Sequence, residues 1–322
     1  MNYRKLPEKE IVRRLVIGLN DQIDFEKRRS YIVDDISLQY LVNHVKGFRF
    51  STKEGYSILR WLEEKDNRNV IDCTQLCYPS FEGLIKRLPS FMLIEGTMPQ
   101  KQIFAFVGTR RPDYKALQQA FQFSFEASLN GISCISGLAE GIDQASMRGC
   151  LRAQKAPCYG VLACGHNFDY PALTGPLKAE IIEKGGAIIS QFPPDRPSYK
   201  SNFVSRNMII AAYSKAIVAI QAPRKSGTLI TCDYAIAMSK DVFIGSAGVG
   251  DSPCQEGTSN LAYEGAFVLD SLADLNNLNE YNLSLKALSH PVDVLKETIP
   301  KAVRFGDKWY VPTSVVQAGK ML

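Results

Sequence analysis

The sequence predicts an α/β protein in which a mostly parallel sheet carries helices on both faces and follows a small helical N-terminal segment. From about residue 103 onward, short apolar runs alternate with stretches of helical periodicity, which is typical of parallel sheets. The runs contain few polar residues, as in strands that are covered on both faces. Ligands on such sheets bind beyond the carboxyl ends of the strands, so the residues after each run are the candidates for a site.

Six strands and five helices are predicted in this α/β region. The predicted strands are 103–107, 132–136, 158–163, 187–190, 216–220 and 242–244. The predicted helices are 114–129, 142–154, 177–183, 205–213 and 228–238.

The regions before and after the predicted sheet have a different pattern of apolar and polar residues. Apolar residues recur at helical spacing in 36–45 and in 55–64, and the charged run 63–69 then interrupts the pattern. The end of the chain predicts a helix near 292–298 and a hairpin near Trp309. We therefore predict three domains or segments: a helical N-terminal domain over 1–70, an α/β domain over 71–275, and a short C-terminal segment over 276–322.

Composition limits the classes of protein to consider. The 322 residues are 45% hydrophobic and 22% charged, with a formal net charge of +5, which permits nucleic-acid binding without establishing it. No run approaches the ~20 apolar residues that span a bilayer, and the first ten residues do not look like a secretory signal. We expect a cytoplasmic protein without a membrane span.

The eight cysteines are expected to be buried free thiols in a reducing compartment. Cys73 and Cys77 are close in sequence, but no second pair of cysteine or histidine residues lies near them. The sequence therefore predicts neither a zinc site nor a bound cofactor.

Small residues follow three of the predicted strands, in the turns Gly108-Thr109-Arg110, Ser136-Gly137 and Ser226-Gly227-Thr228. Glycine lets the backbone approach an anion, and the helix that follows offers unpaired N–H groups and a positive dipole end. These turns predict phosphate binding, although each one alone is explained as a tight strand-to-helix turn. The sequence lacks the G-x-G-x-x-G and G-x-x-x-x-G-K-[ST] patterns, so it supports neither a nicotinamide cofactor nor a P-loop.

Several segments keep a specific order and spacing over roughly residues 71 to 270. They are Phe106-Val-Gly-Thr-Arg-Arg, Ser136-Gly-Leu-Ala-Glu-Gly-Ile-Asp, Val161-Leu-Ala-Cys-Gly with Asp169-Tyr-Pro, Asn202-Phe-Val-Ser-Arg-Asn-Met-Ile-Ile-Ala, Ser226-Gly-Thr-Leu-Ile-Thr and Gly257-Thr-Ser-Asn-Leu. Together they resemble the DprA/Smf family of DNA-processing proteins. The resemblance implies an extended Rossmann-like domain that binds single-stranded DNA (ssDNA), protects incoming strands in natural transformation and helps to load the RecA recombinase.

The resemblance also implies roles for individual residues. Arg110 stands at the family's DNA-contacting arginine, and Lys200 and Phe203 stand at its lysine and base-stacking aromatic residue. The full DNA-binding set implied is Gly108, Thr109, Arg110, Ser136, Gly137, Lys200, Asn202, Phe203, Arg206, Asn207, Ser226, Gly227 and Thr228.

Structural alternatives stay open for four of these residues. Phe203 is also explained as a core residue, Lys200 as a solvated lysine on a loop, and Arg206 with Asn207 as a buried structural pair.

The resemblance further implies a homodimer formed through about residues 215–265. Ile236 and Met238 there are explained equally by a partner or by the core. Two positions depart from the family pattern, because Met147 replaces a common histidine and Met208 a common arginine. The N-terminal segment shows no clear helix-hairpin-helix pattern, and the C-terminal segment is short for a winged helix.

Two alternative functions use the same fold. A nucleotide-hydrolysing enzyme resembling the LOG phosphoribohydrolases would need a catalytic glutamate, but Thr231 stands at that position and no general base lies nearby. Asp143 is expected to buttress a helix start instead of serving as an acid or base. The other alternative is a sensor that binds a free nucleotide in the same groove. We expect a binding protein and not an enzyme.

Overall fold

The structure is a computed structural model. It describes residues 3–277 except 21, 22, 47, 49, 76–88, 98, 100, 101 and 173, together with the strands at 303–305 and 308–310. The chain divides into two compact units that alternate along the sequence. The first unit comprises Met1–Met98, Leu162–Phe168 and Ile188–Arg206, and the second comprises Pro99–Val161, Asp169–Ala187 and Asn207–Leu322. The domain boundaries predicted at residues 70 and 275 stay predictions.

The helices are α1 (Glu8–Gly18), α2 (Phe25–Val33), α3 (Leu38–His44), α4 (Thr52–Glu64), α5 (Tyr114–Leu129), α6 (Ile142–Ala153), α7 (Gly175–Glu183), α8 (Lys200–Tyr213), α9 (Gly227–Ala237) and α10 (Glu256–Tyr263). The strands are β1 (Arg68–Asp72), β2 (Phe91–Gly96), β3 (Ile103–Val107), β4 (Ser133–Ser136), β5 (Cys158–Val161), β6 (Ala187–Ser190), β7 (Ala216–Ala219), β8 (Asp241–Gly245), β9 (Phe267–Leu269), β10 (Val303–Phe305) and β11 (Lys308–Tyr310). None of these described helices is both long and apolar enough to cross a membrane.

The first unit is built around the packing of α1 and α4. The apolar faces of these helices bury Leu15, Ile58 and Trp61 in one cluster, which also includes Val70 of β1 and Leu93 of β2. Each large apolar side chain that is fully buried contributes about 1.5–3 kcal/mol to folding. Strands lie in the order β1-β2-β6, and β1 pairs with β2 in the antiparallel direction.

The second unit is a parallel sheet in the order β5-β4-β3-β7-β8-β9. Every residue of β3, β4, β5 and β7 is buried, and because alternate side chains point to opposite faces, both faces are covered. The chain moves outward from β3 in one direction and from β7 in the other. Such a reversal leaves a crevice at the carboxyl ends of the two strands, where ligands bind in open α/β sheets.

The predicted fold class is confirmed, and most elements lie where the sequence indicates. Helix α5 has the predicted bounds, and the antiparallel pair β10 and β11 forms the hairpin expected near Trp309. Helix α8 begins at Lys200, five residues earlier than predicted, so the expectation that Lys200 lies on a loop is wrong. Strands β1, β2 and β9 and helix α10 were not predicted. The helix predicted at 292–298 lies outside the described residues.

Candidate functional site

The crevice of the second unit presents an exposed arginine. The loop after β3 and the loop after β7 are joined where the Thr109 N–H donates to the Gln221 carbonyl oxygen at 2.7 Å. Arg110 follows and is exposed, with its Cζ 5.8 Å from the ring centroid of Tyr170 and its Nη1 3.4 Å from the Tyr170 hydroxyl. Arg110 therefore lies at the edge where ligands bind in such sheets, and its contact with a phosphate stays a prediction.

Two other predicted residues at this edge have structural reasons for their identity. A Cβ at Gly108 would lie 2.5 Å from Cγ1 of Ile142, so the close approach of α6 to the end of β3 requires glycine there. Ser136 is fully buried, and its hydroxyl donates to the Phe106 carbonyl oxygen at 2.6 Å. These two residues shape the edge of the sheet, and the hydroxyl of Ser136 does not face solvent.

The turn after β4 is held by Asp143. One carboxylate oxygen of Asp143 accepts from the backbone N–H of Gly137 at 3.1 Å and from that of Ala139 at 3.4 Å. This confirms that Asp143 buttresses a helix start. The Gly137 amide is therefore engaged by a carboxylate and does not offer its hydrogen to a phosphate in this arrangement.

The turn that opens α9 has the features of an anion site. It lines an open pocket of about 590 Å³ together with Arg224 and Lys225. The Ser226 hydroxyl oxygen is buried there without a hydrogen-bond partner among the described residues. A Cβ at Gly227 would meet only the Asn207 side chain at 3.6 Å, so packing does not demand glycine at this position. Thr228 follows and is buried. The first N–H groups of α9 and its positive dipole end are thus open to a close approach.

In the first unit, the start of α8 combines a cation with an aromatic ring. Lys200 is exposed and Phe203 is half-buried, and residues three apart lie on one side of a helix. Asn202 is buried and donates to the carbonyl oxygens of Ala163 at 3.0 Å and Pro197 at 3.4 Å, which anchors this turn. Phe203 is therefore not a core residue, whereas Asn202 acts as scaffold.

For Arg206 and Asn207, the structure supports the alternative of a buried structural pair. Arg206 and Asn207 are nearly inaccessible, and the Asn207 side-chain amide donates to the Gly227 carbonyl oxygen at 3.0 Å. The Arg206 Cζ lies 5.9 Å from the Phe203 ring centroid. Met147 and Met208, which depart from the family pattern, are also buried and contribute packing instead of charge.

The position at which the enzyme alternative requires a catalytic glutamate is filled by Thr231. Thr231 is buried and its hydroxyl donates to the Gly227 carbonyl oxygen at 3.2 Å, so it is occupied within its own helix. Among the described residues, no group of three or more His, Cys, Asp or Glu side chains could hold a metal ion. Burial raises the pKa of the Cys232 thiol to about 12, which keeps it protonated at neutral pH.

Sequence reasoning missed Tyr170 as a neighbour of Arg110. Tyr170 is 40% exposed. In the sequence, Asp169-Tyr-Pro is identified only as part of a family pattern. Residues 110 and 170 are far apart in the sequence, so no local pattern brings the ring and the guanidinium together. Only the tertiary structure identifies this pair.

These features define an open α/β sheet protein whose candidate site lies at the carboxyl edge of the sheet, with exposed Arg110 and the open turn that begins α9. The family model for DNA recombination-mediator protein A matches residues 69–280, well over half of the chain. The chain therefore belongs to this family, which is the DprA/Smf family.

Known relatives align with much of the chain. Protein Smf of Escherichia coli is 31% identical over 222 residues, which are 68% of this chain and 59% of that protein. DNA processing protein DprA of Bacillus subtilis is 30% identical over 64% of this chain and 70% of its own length. Protein Smf of Synechocystis is 36% identical over 51% of this chain, and the match spans only 40% of that protein.

Two solved structures share the fold. DNA processing protein A from Streptococcus pneumoniae has a TM-score of 0.65 at 22% identity, over 85% of this chain and 98% of that one. The protein of the same name from Helicobacter pylori has a TM-score of 0.57 at 21% identity, over 67% of this chain and 97% of that one.

Proposed function

We propose that this protein binds ssDNA as a DNA-processing protein of natural transformation and acts by binding, not by catalysis. The observation that carries the proposal is the pairing of exposed Lys200 with half-buried Phe203 on one side of α8. A lysine neutralises a phosphate, and an aromatic face stacks on any base. Stacking requires unpaired bases, so this combination suits a single strand.

Further support comes from the second unit and from the relatives. Exposed Arg110 and the Ser226-Gly227 turn offer a guanidinium and open backbone amides to phosphates. The solved H. pylori relative is described by its single-stranded DNA binding mode. From family membership we propose that the protein also protects incoming strands, helps to load the RecA recombinase and acts in the cytoplasm. These roles are proposals because the chain covers only 59% of the E. coli protein.

We expect ssDNA to bind more tightly than duplex of the same sequence, because the Phe203 ring has no access to paired and stacked bases. Fluorescence anisotropy with labelled 30-mers, single- or double-stranded, at two salt concentrations measures the difference. Affinity should also rise with strand length, which separates a strand-binding groove from a sensor of free nucleotides. Equal affinity for both forms at moderate salt, or saturation by a mononucleotide, would contradict the proposal.

We also propose a homodimer formed through about residues 215–265, which include α9 and α10. Ile236 of α9 is 56% exposed and Tyr263 of α10 is 86% exposed. Met238, the other residue considered for the interface, is buried in the core. Exposed apolar side chains on neighbouring elements suit an interface between two copies.

Ile236→Asp is expected to shift the protein from dimer to monomer, because a carboxylate would be desolvated in the interface. Multi-angle light scattering at micromolar concentration measures the mass of each form. The matched control is Val33→Asp, which adds the same charge at an exposed apolar position of α2 in the first unit. A wild-type mass of one chain, or equal masses for wild type and Ile236→Asp, would exclude this dimer.

A further inference from the structure

A second aromatic ring stands beside the Lys200 and Phe203 pair. Tyr199 immediately precedes α8 and is 53% exposed. Its carbonyl oxygen accepts the Asn202 N–H at 2.9 Å, so it begins the first turn of the helix. Tyr199 therefore lies one residue before the helix and four residues before Phe203.

The loop that carries Tyr199 is fixed by contacts within the first unit. The backbone carbonyl of Arg196 accepts from the Gly165 N–H at 2.8 Å, and the Arg196 guanidinium pairs with Glu54 at 3.4 Å. Asp195 accepts hydrogen bonds from the Ser57 hydroxyl and the Asn167 amide, both at 2.7 Å. These contacts order the loop before any ligand arrives, which lowers the entropic cost of binding through it.

Each of the two rings has an arginine as its neighbour. The Arg196 Cζ lies 5.7 Å from the centroid of the Tyr199 ring, and the Arg206 Cζ lies 5.9 Å from that of Phe203. A guanidinium at this distance is attracted by the negative face of the ring and restricts its rotamers. Both side chains are thus held in place while part of each ring stays open to solvent.

We propose that Tyr199 and Phe203 form a two-ring platform on which two bases of the same single strand stack, with Lys200 meeting the phosphate that links them. The inference rests on the proposed function and names the part of the site that takes the bases. The occupant follows from the chemistry, because an exposed cation that stands between two partly exposed rings in the sequence matches a strand of alternating phosphates and bases. A purely apolar protein segment would leave the Lys200 ammonium without a partner.

Tyr199→Ala is expected to weaken ssDNA binding by about fivefold to 150-fold, with an unchanged dependence on salt, because stacking is lost and no ionic contact is removed. Tyr199→Phe should bind like wild type, since it keeps the ring. The matched control is Tyr56→Ala, which removes an exposed tyrosine from α4 of the same unit and should have no effect. Anisotropy titrations of one labelled oligonucleotide at three salt concentrations measure all four proteins.

A second measurement uses the unmodified protein. Ultraviolet irradiation with an oligothymidylate in which 5-iodouracil replaces thymine should cross-link Tyr199 and Phe203, identified by mass spectrometry of the digested complex. If Tyr199→Ala binds like wild type and no cross-link forms at Tyr199, while Phe203→Ala and Arg110→Ala bind weakly, the two-ring platform is wrong and the proposed function stands. If the wild-type protein shows no preference for ssDNA, the proposed function itself fails.

Discussion

Replacing Phe203 with Ala should weaken ssDNA binding by about 1–3 kcal/mol at every salt concentration. Phe203 is half-buried in the first turn of α8, three residues after exposed Lys200 and therefore on the same side of the helix. Removing it deletes a stacking surface and leaves every cation in place, so the slope of log affinity against log salt should stay constant. Anisotropy titrations over a range of salt concentrations give both quantities from one set of data.

The control for this prediction is the stability of the variant. A fully buried phenylalanine costs about 3–5 kcal/mol of unfolding free energy when it is truncated to alanine. Phe104 of β3 is fully buried, so Phe104→Ala should show that loss, whereas Phe203→Ala should lose less. Chemical denaturation of both variants measures the difference. A folded Phe203→Ala protein with wild-type affinity would refute the stacking role.

The parallel sheet could be predicted because its signals are local. The run from Ile103 to Val107 is apolar throughout, since both faces of β3 are covered. Helix α5 could be placed to the residue because its polar start is also local, with the Asp113 carboxylate accepting the Ala116 N–H at 2.9 Å. Where a strand or a cap is determined by neighbouring residues, the sequence is sufficient.

Elements that depend on distant residues could not be predicted in the same way. Strand β1 pairs with β2, and no turn of two or three residues links them to signal a hairpin. The early start of α8 depends on Asn202, whose side chain donates to the carbonyl oxygen of Ala163, 39 residues away. A window of neighbouring residues contains no sign of that contact.

The candidate site was predicted as a set of residues, but the sequence could not divide the set into contacts and scaffold. Arg110 and Lys200 are exposed, whereas Ser136, Asn202 and Asn207 are buried and bonded to backbone carbonyls. A family pattern contains both kinds of residue, because the same local sequence must bind the ligand and hold the backbone that presents it. Burial in the folded protein separates the two roles.

Arg110→Ala should weaken ssDNA binding for all sequences alike and reduce the salt slope by about 0.7, which corresponds to one phosphate contact on a single strand. Arg110 is exposed at the carboxyl end of β3, where a phosphate in the crevice can reach its guanidinium. Arg110→Lys keeps the charge, so it should restore most of the slope while losing the planar guanidinium.

The matched control for this contact is Arg152→Ala. Arg152 is an exposed residue in the last turn of α6, and because α6 begins at the carboxyl edge of the sheet, its last turn lies toward the opposite edge. Its loss removes one positive charge from the protein without removing one from the proposed site, so the salt slope should stay near the wild-type value. If Arg110→Ala left the slope unchanged, or Arg152→Ala lowered it equally, net charge and not a phosphate contact would explain the binding. If the slope falls in Arg110→Ala and not in Arg152→Ala, the counterion release is assigned to the end of β3. This is the position that the reversal of strand order favours for a ligand.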